Sequence, residues 1–184
     1  VHAKGQNLDV AKAVAVASDF ADVSDLSDLS GQVSFDGGAS GIGADLASCK
    51  AYGSVELLNG RYRELPIERM NASFFLNGKD LRIDYASLHL PNRSSIGVAG
   101  TLEGGSKLDL AFYGGHFDLS LLQKLLPEAD VKGLSDFEGT LRGDTANPNV
   151  DFKFTAMDGS LFEQPFDNVR VKAGGSLDGV TIED

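Results

Sequence analysis

The chain has no tryptophan, two methionines and one cysteine in 184 residues. A single cysteine, Cys49, excludes an internal disulfide. The fold must therefore hold by packing and hydrogen bonding alone, which suits a reducing compartment and equally an oxidising one where no bridge is needed. Cations are scarce: 16 Lys and Arg stand against 27 Asp and Glu, a formal charge of −11, with no basic cluster longer than a residue or two. That removes the basic footprint required by nucleic acid and argues against simple docking on an anionic membrane surface. The acidity itself reads as a solubility device. There is no run of 18 apolar residues and no signal-peptide pattern. The opening "VHAKG" resembles the tail of a strand and the closing "GVTIED" a strand cut short, so a segment of a longer chain is expected.

What the sequence does have is glycine, phenylalanine and alternation. There are 22 glycines, about 12% where about 7% is usual, together with 11 phenylalanines and 42% hydrophobic residues. The length fits one domain or two small ones. Period-two apolar runs recur: Met70, Ala72, Phe74 and Leu76; Leu81, Ile83 and Tyr85; Ile96, Val98 and Leu102; Leu108, Leu110 and Phe112; Val150, Phe152, Phe154 and Ala156; Val169, Val171 and Ala173. The opposite phase is mostly polar, which predicts strands with one dry and one wet face. Asn-Gly, Gly-Gly and Asp-Gly pairs between the runs predict hairpin turns of an antiparallel meander. Two stretches show helical spacing. "DLSLLQKLLPE" puts Leu119, Leu122, Leu125 and Leu126 on a stripe, with Asp118 as N-cap and Pro127 as stop, and "DVAKAVAVASDF" does the same with Val10, Val14, Ala17 and Phe20 or Ala21.

The chain also repeats itself. Asn59-Gly60 returns 99 residues later as Asp158-Gly159, and Glu64, Pro66 and Ile83 return at the same offset as Glu163, Pro165 and Ile182. "NLDVAKAVAV" echoes "HFDLSLLQKL", with Asp9 and Asp118 109 apart, and "LSGQVSF" echoes "DFEGTLR", with Gly31 and Gly139 108 apart. The expected arrangement is one continuous segment, with a first unit at about 7–115 and a second at about 116–184. A period near 100 residues means a module of several elements, stacked on its copies.

About a dozen such strands carry more apolar area than two short helices can cover. The sheet can fold into a sandwich, close as a barrel, or curve into a trough, and stacked modules would extend a trough into a long apolar gutter. The order of elements, and above all "GTLRGDTANPNVDF" (139–152) within "LSDFEGTLRGDTANPNVDFKFTAMDGSLFEQPFDNVRV", resembles the TamB and AsmA-like proteins of Gram-negative envelopes. The first unit departs from this pattern: it lacks the Asn-Pro and carries extra residues in "DGGASGIGADLASC". The resemblance implies a mainly β fold, a curved antiparallel sheet forming a β-taco groove with one short amphipathic helix per repeat. It implies a periplasmic location with an inner-membrane anchor outside this segment, and a non-catalytic role in carrying phospholipid to the outer membrane. It also implies a part in outer-membrane protein assembly with a TamA-type partner, where the groove would hold unfolded β-strands. A structural β-repeat with a dry core is the third reading. The residues expected to line the groove are Met70, Phe74, Leu76, Ile83, Ile96, Val98, Leu110, Phe112, Phe152, Phe154, Val169 and Val171.

Other motifs weigh little. "GGASGIGADLA" (37–47) matches the glycine signature of short-chain dehydrogenases, but Asp36 would bring a negative charge to a phosphate and no Tyr-x-x-x-Lys follows any tyrosine. It is expected to be a flexible insertion loop. His2, His89 and His116 are widely spaced without a cysteine pattern, so no metal site is expected. Asp19, Asp22, Asp25 and Asp28, each three apart, lack the close spacing and glycine turn of a calcium loop. Cys49 has no activating neighbours, and no catalytic residues or cofactor are expected.

Overall fold

A computed structural model describes residues 1–17, 28–41, 48–126, 128–176 and 179–183. Eleven strands form a single curved antiparallel sheet in which each strand pairs with the next in sequence and the two outer strands do not meet. They are β1 (His2–Asp9), β2 (Leu29–Ser40), β3 (Lys50–Tyr62), β4 (Leu65–Asn77), β5 (Asp80–His89), β6 (Ser95–Glu103), β7 (Lys107–Asp118), β8 (Val131–Asp144), β9 (Asn149–Leu161), β10 (Gln164–Ser176) and β11 (Gly179–Glu183). This is the mainly β antiparallel meander that the alternation predicts, curved as the resemblance implies and open rather than closed into a barrel.

Two helical pieces follow β1 and β7. Helix α1 (Val10–Ala17) starts where the Asp9 carboxylate accepts from the backbone N–H of Ala11 at 3.0 Å. The Leu119–Lys124 segment is a 3₁₀ turn instead of an α-helix, capped by Asp118, which accepts from the N–H of Ser120 at 2.9 Å. The tighter winding changes its buried set. Leu119 and Leu121 are buried, whereas Leu125 and Leu126, expected on the inner stripe, are 39% and 60% exposed. Phe20, Ala21 and Pro127 lie outside the described residues.

Turns and bulges account for the remaining differences. Asn77-Gly78 and Gly104-Gly105 lie at hairpin connections. Asn59-Gly60 and Asp158-Gly159 do not: they lie inside β3 and β9, and the chain reverses at Arg63-Glu64 and Phe162-Glu163. Each pair forms the two-residue side of a β-bulge. Gly31 of β2, at φ 130°, sits against Asn59-Gly60, and Gly133 of β8, at φ 127°, sits against Asp158-Gly159. Asn59 and Asp158 share the same left-handed φ of 49°. The structural twin of Gly31 is therefore Gly133, and "LSGQVSF" superposes in pattern on "VKGLSDF" (131–137), not on "DFEGTLR". Gly139 stays in regular pairing between Phe112 and Phe152. The expected unit boundary at 115/116 falls within β7.

A bulge in β5 also shifts one side chain. Ser73 pairs with Tyr85 and Phe74 with Ile83, which leaves Asp84 without a counterpart on β4 and turns Tyr85 to the polar face, 51% exposed. The fully buried apolar side chains collect along one border of the sheet: Val10, Leu65, Ile67, Leu90, Phe117, Leu119 and Leu121, with Leu57 and Ala156 at 1% exposure. Helix α1 packs on β1 and β2, and the 119–124 turn packs on β8. Among the described residues the core thus seals one border of the apolar face.

Candidate functional site

The register fixes which side chains share that face, because residues directly paired across antiparallel strands point the same way. One row crosses all eleven strands. It runs Gly5, Phe35, Val55, Ala72, Ala86, Val98, then Phe112, Gly139, Phe152, Ala173 and Ile182. A second row also crosses all eleven, from Ala3, Gly37 and Gly53 through Phe74, Ile83, Gly100, Leu110, Leu141 and Val150 to Gly175 and Val180. Neither contains a polar side chain. A third row holds Met70, Leu88, Ile96, Phe137, Phe154 and Val171. Leu76 belongs to a fourth row with Leu81, Leu102 and Leu108. Val169 pairs with Ala156 beside the sealed border.

All twelve residues expected to line a groove therefore stand on one face. None is fully buried; each is half-buried. At about 4.8 Å per strand, the rows extend about 48 Å across the sheet. Phenylalanines form a connected chain on this face: the Phe112 and Phe152 ring centroids lie 6.2 Å apart, Phe152 and Phe154 6.1 Å, and Phe137 and Phe117 5.9 Å edge to face. Such ring contacts add to burial rather than depend on it.

Glycines shape the face in a way the sequence did not reveal. Phe112 lies across Gly139, Phe137 across Gly114, and Phe35 across Gly5, each the direct cross-strand partner of the other. An added Cβ would stand 2.5, 2.2 and 2.5 Å from the respective rings. The rings lie down on bare backbone and keep the floor shallow. Between β1 and β4 small residues open a cavity of about 370 Å³, bounded by Phe35, Val55 and Phe74 over Gly37, Ala51 and Gly53.

The larger depression, about 470 Å³, involves the opposite, polar face beside Tyr113, Glu138, Asp151, Lys153 and Lys172. Lys153 donates to Glu138 at 2.8 Å. That hydrogen bond holds the Glu138 carboxyl below its ordinary range and raises the Lys153 ammonium. Both groups are exposed, so the pair adds little to stability. Its mixed charge offers nothing to an apolar ligand.

The remaining motifs are placed as follows. Gly37 and Gly38 are strand residues of β2, paired with Gly53 and Tyr52, and so belong to the sheet and not to a loop; 42–47 lie outside the described residues. His2 lies 3.2 Å from Asp36, His89 is exposed, and His116 occupies the β7 bulge at φ 50°. Asp19, Asp22 and Asp25 lie outside the described residues, while Asp28 accepts from Arg63 at 3.0 Å. Among the described residues no three His, Cys, Asp or Glu side chains cluster, and no helix is long and apolar enough to cross a membrane. Comparison with protein-family models, with characterised proteins and with solved structures finds no match to this chain.

Proposed function

We propose that this chain is a non-catalytic segment of a periplasmic lipid conduit of the TamB and AsmA-like kind, whose apolar face carries phospholipid acyl chains between membranes. In this reading the inner-membrane anchor and the contact with a TamA-type outer-membrane protein belong to other parts of the same polypeptide. The observation that carries it is the pair of rows spanning eleven strands without one polar side chain, on a face where all twelve lining candidates stay half-buried. A structural sheet would hide such a face under a second layer. An acyl chain laid on it gains about 0.8 kcal/mol per methylene removed from water. Because neighbouring positions in a row are chemically alike, a chain shifted by one strand loses little, which permits sliding. Headgroups would stay in water along the open border.

The same face could hold an apolar β-strand of an unfolded outer-membrane protein, and one experiment separates the two. The chain is expressed in a bacterial periplasm, purified and examined by native mass spectrometry with lipid extraction. Phospholipid adducts that disappear in Phe74→Arg support the conduit. Co-purified peptide without lipid would support the strand-holding reading, and neither species would return the face to a structural role.

A further inference from the structure

The outer edge of β1 has a twin inside the molecule that is already occupied. β1 and β7 share a set of features at an offset of 109 residues. Gly5 and Gly114 each lie under a phenylalanine of the next strand. A bulge follows each, with Asn7 and His116 at φ 50°. The freed N–H is taken by a side chain of the next strand, Ser34 Oγ at 3.1 Å for Asn7 and Asp136 Oδ1 at 2.8 Å for His116. Asp9 and Asp118 then cap the following helical turn. On its other side β7 pairs with β6 from Ser95 opposite Gly115 to Glu103 opposite Lys107. Among the described residues β1 has no strand on that side.

We infer that the free edge of β1 is a docking edge for an extended strand of the β6 pattern, contributed by another module of this kind. Moving the β6–β7 register by 109 residues sets Ser95 opposite Gln6, Gly97 opposite Lys4 and Ala99 opposite His2. Val1 exchanges both backbone hydrogen bonds with Ala39, at 2.7 and 2.8 Å. Alternation then directs the N–H and C=O of Ala3 and Gly5 toward β2, and those of His2, Lys4 and Gln6 toward the free edge. The docked strand would set Ile96 beside Gly5 and Val98 beside Ala3, both of them members of the apolar rows. The dry face would therefore continue unbroken across the junction. Lys4 and His2 reach Asp36 at 2.9 and 3.2 Å on the polar face, so these side-chain contacts leave the edge clear. An unprotected edge of this kind is a template for strand addition.

The test adds a synthetic peptide of the Ser95–Glu103 sequence, flanked by lysines for solubility, to the ¹⁵N-labelled full chain and follows amide hydrogen exchange. Exchange should slow by about tenfold or more at His2, Lys4 and Gln6, with Ala3 and Gly5 unchanged. Methylating the peptide nitrogens of Gly97 and Ala99 should abolish the effect. So should Lys4→Pro in the chain, which removes the backbone donor on the free edge, whereas Lys4→Ala, which removes only the ammonium that reaches Asp36, should leave the effect in place. The inference is overturned if millimolar peptide slows none of the three amides, or if the N-methylated peptide protects them equally. Protection confined to 179–183, or equal protection by a peptide of the Asp80–His89 sequence, overturns it as well.

Discussion

Gly114 lies directly opposite Phe137, and a Cβ on Gly114 would stand 2.2 Å from the Phe137 ring. The missing side chain is what lets the ring lie flat on β7. Gly114→Ala should therefore destabilise the protein by about 1–3 kcal/mol through overpacking. In a Phe137→Ala background the same change should cost almost nothing, because the ring it strikes has gone. Urea denaturation of the four proteins of this cycle gives the coupling energy directly.

Ser94 and Ser135 are the buried polar side chains of the sealed border, each 1% exposed. Ser94 Oγ donates to the His116 carbonyl at 3.3 Å and accepts from the Asp118 N–H at 2.9 Å, satisfying groups of β7 that lie past the end of its pairing with β6. Ser94→Ala should cost about 1 kcal/mol, because it removes both hydrogen bonds from a part-buried donor and acceptor. Ser30→Ala, whose hydroxyl only makes a 3.5 Å exposed contact with the Arg61 carbonyl, should be near neutral in the same denaturation assay.

Asp118 links stability to pH. Burial opposes its charge, but hydrogen bonds from the Ser120 hydroxyl, Asn92 and the Ser120 backbone outweigh it and hold the carboxyl below its ordinary value. A carboxylate favoured in the folded state stabilises the protein above the unfolded pKa, near 4, and loses that contribution as pH falls through the lower folded value. Asp118→Ala should cost about 1 kcal/mol at neutral pH, as loss of a helix cap does. The gap between variant and parent should narrow below about pH 4, as followed by thermal melts across the acid range.

Position on the apolar face sets how a charge is tolerated. Leu57 is 1% exposed and packs at the sealed border, so Leu57→Arg should unfold the chain by leaving an unpaired buried charge. Phe74 lies in the half-exposed row between Gly53 and Ile83, where an arginine can lift its guanidinium into water. Phe74→Arg should keep a cooperative melt while losing any lipid contact. Circular dichroism with temperature distinguishes the two.

The alternation at Leu108, Leu110 and Phe112, and at Val150, Phe152 and Phe154, was legible because no bulge interrupts those runs. Tyr85 changes face because an extra residue enters β5, and nothing in "DLRIDYA" marks it. Local likeness pairs Gly31 with Gly139, whereas the bulge that defines its role recurs at Gly133, beside a less similar sequence. Asn59-Gly60 and Asp158-Gly159 carry a turn signature, yet the same left-handed preference serves a bulge inside a strand. The pairing of glycine with phenylalanine depends on register between residues 23 to 30 apart, as Gly114 is from Phe137 and Gly5 from Phe35, and no local pattern encodes it. The twelve lining candidates did fall on one face, since a face needs only phase. Their half-burial reflects that no second layer covers them among the described residues, a property of the whole sheet.

The most direct test places a photo-crosslinking residue at Phe154 on the apolar face and, separately, at its neighbour Lys153 on the polar face, in chain made in a bacterial periplasm. Phospholipid adducts are expected at Phe154 and none at Lys153. Equal labelling at both positions, or no lipid at Phe154 in a protein that melts cooperatively, would contradict the conduit reading.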